Sequence, residues 1–308
     1  MNKLQVLFIA AIVCTIGSTV YLLNKSSSDV QESQLTFPYD ENLAENLAGF
    51  SMASYCKASK IENWNCGASC KKNPEGLQDV YIMKNKTMNA AGFLAYSPAH
   101  DAIVVVFRGT VPWLIKNWIS DINTVKTKYS RCEKCYVHLG FFNAFKELQD
   151  QILTEFPKLK AKYPYSKNIN YSKLNRRHSL GAAMSTHAVP VIYELNGNKP
   201  IDAFYNFGSP RVGDENYHQW FDSQNFTLQY GRINHRADPV PHLPPNYSPF
   251  TFTHIDHEVF YQTFKKPYTQ CIETESLECA DGIKIPLDIP DHLSYFGWDW
   301  ATDILACQ

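Results

Sequence analysis

The seven residues from Arg177 to Ala183, reading Arg-His-Ser-Leu-Gly-Ala-Ala, limit what this chain can fold into more than any other stretch. They read as a strand-to-helix turn that lifts Ser179 out of the backbone, because Gly181 lets strand and helix approach without a clashing Cβ. Ala182 to Leu195 are good helix formers, so a helix N-terminus should lie directly beneath the serine. That end offers free N–H groups and a positive dipole to a developing oxyanion. The usual signature of such an elbow is G-x-S-x-G, and Arg177 stands here in place of the first glycine.

A turn of this kind needs strands and helices that alternate, and the chain supplies them. Asp101 to Phe107 is an unbroken run of apolar and β-branched residues closed by Arg108-Gly109, which reads as a strand buried on both faces and hence as part of a parallel sheet. Phe142, Phe145, Leu148, Ile152, Phe156 and Leu159 fall three or four apart, predicting an amphipathic helix over 143–162 that ends before Pro164. Helical spacing also predicts a helix over 41–57, and 201–207 and 214–224 read as a strand and a helix. The expected fold is α/β, a doubly wound and mostly parallel sheet flanked by helices. A content of 44% hydrophobic and 19% charged residues suits one globular domain, and a net charge of −1 with no basic stripe excludes nucleic acid as a partner.

Met1-Asn2-Lys3 and the apolar run 4–13 match a secretory signal over 1–18, although the run stays apolar to Leu23 and an uncleaved anchor is the alternative. Residues 19–40 read as a polar linker and 41–308 as the folded domain, secreted or facing an endomembrane lumen. Eight cysteines remain beyond Cys14, enough for about 105 pairings. Short spacings allow local loops at Cys66 and Cys70, Cys132 and Cys135, and Cys271 and Cys279, which leaves Cys56 and Cys307. Cys132-x-x-Cys135 has a second reading as a redox or metal pair. Asn85, Asn170, Asn225 and Asn246 stand in glycosylation sequons.

Taken together, Phe-Arg-Gly-Thr at 107–110, Asn117-Trp118-Ile119, Val137-His-Leu-Gly-Phe141, His-Ser-Leu-Gly-Ala at 178–182, Gly208-Ser-Pro-Arg-Val-Gly213, Asp238-Pro-Val-Pro-His-Leu-Pro-Pro245 and Ile289-Pro-Asp-His-Leu-Ser-Tyr-Phe296 resemble the fungal-type, class three triacylglycerol lipases. The resemblance runs in that family's order over about residues 45–308 and implies an α/β-hydrolase fold. It also implies the pairs Cys56–Cys307, Cys66–Cys70 and Cys132–Cys135, with Cys271 and Cys279 as an addition.

A serine hydroxyl is a weak nucleophile that needs a base, and the base needs an acid to fix its tautomer. Ser179 is the candidate nucleophile; its other reading is a helix-capping serine. Asp238 follows a strand-like segment, 229–234, and should lie at the carboxyl end of the sheet. On local sequence it reads equally as a turn residue before Pro239, and the resemblance makes it the acid. His254 and His257 lie in a strand-like run over 253–261 and read as structural. His292 stands on a loop in the family's histidine motif and is the candidate base, with Asp288 and Asp291 as turn and capping residues.

For the oxyanion, the backbone N–H of Leu180 is one donor by elbow geometry, and Thr110 resembles the family's second. Leu114, Ile115, Trp118, Ile119 and Ile122 share one helical face, with Trp113 beside it. On pattern alone this is a core helix, while the resemblance makes it a lid that exposes its apolar face at a lipid surface.

The expected function is a secreted serine hydrolase of glycerolipid esters at an oil–water or membrane interface. No metal, cofactor or obligate protein partner is implied. The alternative is an inactive lipid-surface binder, because Arg177 replaces the elbow glycine and the segment 168–177 is polar where a buried strand is expected.

Overall fold

The computed structural model describes residues 37–164, 173–174, 178–264 and 266–307. The signal or anchor segment, most of the linker, Asn170 and Arg177 lie outside the described residues.

Asp40 opens the first helix, its side chain accepting a hydrogen bond from the N–H of Leu43 at 2.9 Å. Helix α1, Glu41–Ala53, buries Leu43, Leu47 and Phe50 along one face. It ends four residues short of the expected 57. The residues before it also pack: Phe37 stacks on His257 with ring centroids 4.4 Å apart, and the Tyr39 and Tyr261 hydroxyls meet at 3.0 Å. Residues 37–40, read from sequence as linker, therefore lie on the folded core.

Strands β1 (Gln78–Lys84), β2 (Ala91–Ser97) and β3 (Ala102–Phe107) form an antiparallel meander. All six residues of β3 are buried, as the apolar run implies, but the strand pairs antiparallel with β2. Burial on both faces agrees with the sequence, while the described pairing, on the β2 edge, is antiparallel. Val104 and Val106 pack with Leu47 and Phe50 of α1, whereas Ile103, Val105 and Phe107 pack on the other side with Phe145 and Met184. Covering both faces with helices makes any strand apolar, whatever its direction.

A single 3-10 turn at Pro112–Leu114 leads into α2 (Ile115–Asp121), followed by a hairpin of β4 (Lys126–Lys128) and β5 (Tyr136–His138). Helix α3 spans Leu139–Lys162 and starts four residues earlier than its spacing predicts, because the His138 ring caps it by accepting from the N–H of Phe141. After β6 (Lys173–Leu174) come α4 (Leu180–Leu195), β7 (Ala203–Phe207), α5 (Glu215–Ser223), β8 (Tyr230–His235), β9 (Glu258–Tyr261), β10 (Thr269–Cys271) and a short helix α6 (Ile289–His292). Strands β6, β7, β8 and β9 run parallel, with Phe204 opposite Tyr230 and Arg232 opposite Glu258, and β10 is antiparallel at the edge. The carboxyl ends of β7 and β8 thus point the same way, towards Gly208 and Asp238.

Four disulfides are present: Cys56–Cys307, Cys66–Cys70, Cys132–Cys135 and Cys271–Cys279. The first closes a loop of 251 residues. Chain entropy assigns a loop of that length about 5 kcal/mol. Replacing Cys56 and Cys307 together by serine should lower the thermal unfolding midpoint by several degrees or more; an unchanged midpoint would show that the cross-link adds nothing.

Candidate active site

Ser179 sits at φ 63° and ψ −131°, a conformation that side-chain-bearing residues rarely adopt. Holding a non-glycine residue there costs on the order of 1–3 kcal/mol, so the surroundings must enforce it. They do so through close backbone contact. A Cβ at Gly181 would lie 2.8 Å from the Phe107 carbonyl oxygen, and one at Gly109 would lie 2.2 Å from that of His178. The end of β3 and the turn before α4 touch at these two glycines, so Thr110, one residue past Gly109, is held beside the elbow. The N–H of Ser179 also donates to the Phe207 carbonyl at 3.2 Å.

His292 and Asp238 come together from elements 54 residues apart, Nδ1 of the imidazole lying 2.9 Å from both carboxylate oxygens. Both side chains are buried. The ring therefore donates through Nδ1–H, which leaves Nε2 as the nitrogen available to act as the base. Asp238 is fixed in turn: Oδ1 accepts from the N–H of Val240 at 2.8 Å, and Oδ2 accepts from the Tyr295 hydroxyl at 2.7 Å. Burial, and then the charge of Asp238, push the Tyr295 hydroxyl well up, so it stays protonated and donating. Among the described residues, neither Ser179 Oγ nor His292 Nε2 has a hydrogen-bond partner, and both atoms are buried.

His178 connects the two halves of this site. Its ring lies 3.9 Å from that of His292 and its Nε2–H donates to the His292 carbonyl, while Tyr55 approaches Nδ1 at 3.4 Å. Burial holds His178 far below the usual imidazole range, so it stays neutral beside the candidate base. The residue before the serine thus packs its ring against that of His292, tilted by 34°.

The other histidines weighed from sequence are structural. Nε2 of His254 donates to the Pro241 carbonyl at 2.7 Å, bracing the loop that follows Asp238. His257 stacks on Phe37. Asp288 caps α6 through the N–H of Asp291, whose carboxylate accepts from the N–H of Ala237.

The segment read as a lid does not present one face. Trp113 and Leu114 precede α2 and are 58% and 43% exposed, because the 3-10 turn rotates them away from the helical stripe. Ile115 is buried, and Trp118 packs inward over Phe141, ring centroids 6.1 Å apart. Beneath α2 lies a cavity of about 260 Å³ whose walls include Met88, Trp118, Ile122, Phe141, Ala144 and Leu180. It is mostly apolar and begins at the first residue of the elbow helix. The far end of α2 is tied down by His138, whose Nε2–H donates to the Asn123 carbonyl at 2.7 Å; burial keeps that imidazole below its ordinary pKa.

Sequence reasoning missed Tyr55, His138, Gly208 and Tyr295. Tyr295 was within reach, standing three residues after His292 in a motif already singled out.

His292 closes the short helix α6 rather than standing on a loop as its sequence suggests, because Asp288 caps that turn. A mostly parallel sheet flanked by helices, with a strained serine between strand and helix, an aspartate after a later strand and a histidine beyond it, is the architecture of the α/β-hydrolases. The family model "Lipase (class 3)" matches residues 104–248. Secreted mono- and diacylglycerol lipase 1 of Fusarium solani is 31% identical over 256 residues, covering 79% of this chain and 72% of that protein. Secreted mono- and diacylglycerol lipase A of Penicillium cyclopium is 29% identical over 264 residues, with 83% and 79% covered. The solved triacylglyceride lipase of Rhizomucor miehei superposes with a TM-score of 0.74 at 26% identity, covering 85% of this chain and 96% of that one. The chain belongs to the class 3 lipase family and is a carboxylic ester hydrolase.

Proposed function

We propose that this protein is a secreted glycerolipid lipase acting through an acyl-enzyme on Ser179. Ser179 Oγ attacks the ester carbonyl as His292 Nε2 takes its proton, and Asp238 holds the imidazole in the required tautomer and stabilises the imidazolium that forms. The N–H of Leu180 and the N–H and hydroxyl of Thr110 carry the oxyanion. The intermediate collapses as the imidazolium protonates the departing glyceride alcohol, and water then releases the fatty acid by the same route in reverse order. One observation carries this reading: a strained serine directly follows a histidine whose ring packs against His292, and His292 has one nitrogen on a buried carboxylate and the other buried with no hydrogen bond among the described residues. The similar proteins named as lipases of mono-, di- and triacylglycerols support the substrate class.

The segment 113–118 acts as the lid. Trp118 and Ile122 cover the apolar cavity in water, while Trp113 and Leu114 already face outward where a lipid surface would meet them. Secretion fits the disulfides, and no helix among the described residues is long and apolar enough to cross a membrane. The domain begins near residue 37, after a removable leader.

An emulsified long-chain triglyceride assayed beside a short soluble ester tests the reading. Hydrolysis should occur with both, and the rate on the short ester should climb steeply as its concentration passes the solubility limit. A rate indifferent to that limit would remove the lid from the account. Folded protein that cleaves neither substrate would favour the lipid-binding alternative.

A further inference from the structure

Asp238 follows the carboxyl end of β8, and Asp256 precedes the amino end of β9; the strands are parallel, so these aspartates mark opposite ends of the sheet. At the end away from the candidate active site, His218 and Asp222 stand four apart on α5 and face the same way. Asp256 reaches them from the loop entering β9. Nδ1 of His218 lies 3.0 Å from Oδ2 of Asp222 and 3.9 Å from Oδ1 of Asp256, and one ligand-type atom from each residue falls within 4.8 Å of the others.

Four-coordinate zinc with bonds of about 2.0–2.1 Å keeps its ligands about 3.3 Å apart, a spacing that the two measured distances bracket. Nδ1 of His218 is also buried and, despite its approach to Asp222, makes no hydrogen bond. Against the effect of its burial, the adjacent Asp222 carboxylate raises the His218 pKa, and burial pushes Asp256 up to about 6, so a divalent cation entering here would displace protons from the cluster as it binds. The nearby Arg232 is already engaged with Glu258 and the Ile255 carbonyl.

The carboxylates are oriented from outside. The Tyr230 hydroxyl donates to Oδ1 of Asp222, the N–H of Asp256 to its Oδ2 at 3.1 Å, and the N–H of Thr274 to Oδ1 of Asp256 at 3.1 Å. Such outer contacts fix ligand geometry in metal sites. A cavity of about 160 Å³, with Phe37, Pro38, Tyr230, Asp222 and Asp256 among its walls, gives access to both carboxylates and room for a coordinating water.

We propose that His218, Asp222 and Asp256 bind one zinc ion, with water from this cavity completing the tetrahedron. Imidazole with two carboxylates suits zinc better than calcium, which favours six to eight oxygens. The ion would pin α5 to the loop before β9, a structural role separate from ester hydrolysis and one that the sequence did not suggest.

The test is a calorimetric titration of chelator-treated full-length protein with zinc chloride and, separately, calcium chloride. Zinc should bind at one ion per chain and raise the unfolding temperature, and calcium should not. H218A and D256N should each weaken zinc binding at least tenfold while keeping the circular dichroism spectrum and hydrolysis of a soluble ester. X-ray absorption of the cobalt-loaded wild-type protein should report nitrogen and oxygen neighbours in a tetrahedral field, a readout that needs no variant. Absent saturable zinc binding, undiminished uptake by both variants, or an octahedral cobalt spectrum would overturn the proposal.

Discussion

Ser179→Ala is expected to lower ester hydrolysis by about a millionfold and to abolish labelling by a fluorophosphonate probe, leaving the fold intact. The magnitude follows from how serine nucleophiles behave when removed: the whole covalent route is lost, and only binding and oxyanion stabilisation remain, a residue of roughly 10³–10⁴ over water. Folding should survive because the hydroxyl makes no hydrogen bond among the described residues. Alanine keeps the Cβ, so the strained backbone at φ 63° is neither relieved nor worsened. Probe labelling of the wild type that vanishes in the variant would fix the serine's role. Well-folded wild-type protein that never labels would sink the hydrolytic mechanism and return weight to Arg177 as a disabling substitution.

Gly208→Ala should be nearly as damaging although residue 208 performs no chemistry. Gly208 has φ +53°, and an added Cβ would stand 2.7 Å from Oδ2 of Asp238, 2.9 Å from the Tyr295 hydroxyl and 3.0 Å from Nδ1 of His292. A methyl group there must push apart the three atoms that set the imidazole's tautomer. Disrupting that acid's hold on its histidine costs about 10⁴-fold in kcat elsewhere, so a loss of 10³- to 10⁴-fold is expected, with KM little changed. Gly197 supplies the control. It has φ +70°, but nothing lies within 4 Å of the Cβ it would gain. Gly197→Ala therefore introduces similar backbone strain without a collision and should lower stability by about 1 kcal/mol while leaving kcat intact. Equal kcat for the two variants would show that the collision at 208 is relieved without cost to catalysis.

Much of this was legible in the chain, for identifiable reasons. Helix α3 and strands β3 and β7 announce themselves because each buries a face or two and must be apolar at the matching period, whereas β8 buries Arg232, Asn234 and His235 and carries no such pattern. Ser179, Asp238 and His292 were legible only as members of short motifs, since an aspartate before Pro239 looks like any turn residue. The antiparallel pairing of β3 with β2 was not legible, because helix cover rather than strand direction sets its composition. Phe37 and Tyr39 were lost among polar neighbours; their anchoring depends on Tyr261 and His257, more than 200 residues away. The grouping of His218 and Asp222 with Asp256 likewise exists only once β8 and β9 lie side by side.

The contact between β3 and the elbow bears on how the substrate range of this enzyme can diverge. With Gly109 and Gly181 pressed against opposing backbone, no side chain larger than hydrogen fits at either, and that seam is closed to evolutionary trial. The cavity wall has no such constraint. Met88, Ile122 and Ala144 contribute side chains there and can change in bulk without moving the strand end or the turn. The cavity wall can therefore drift while the seam that holds the elbow stays constant.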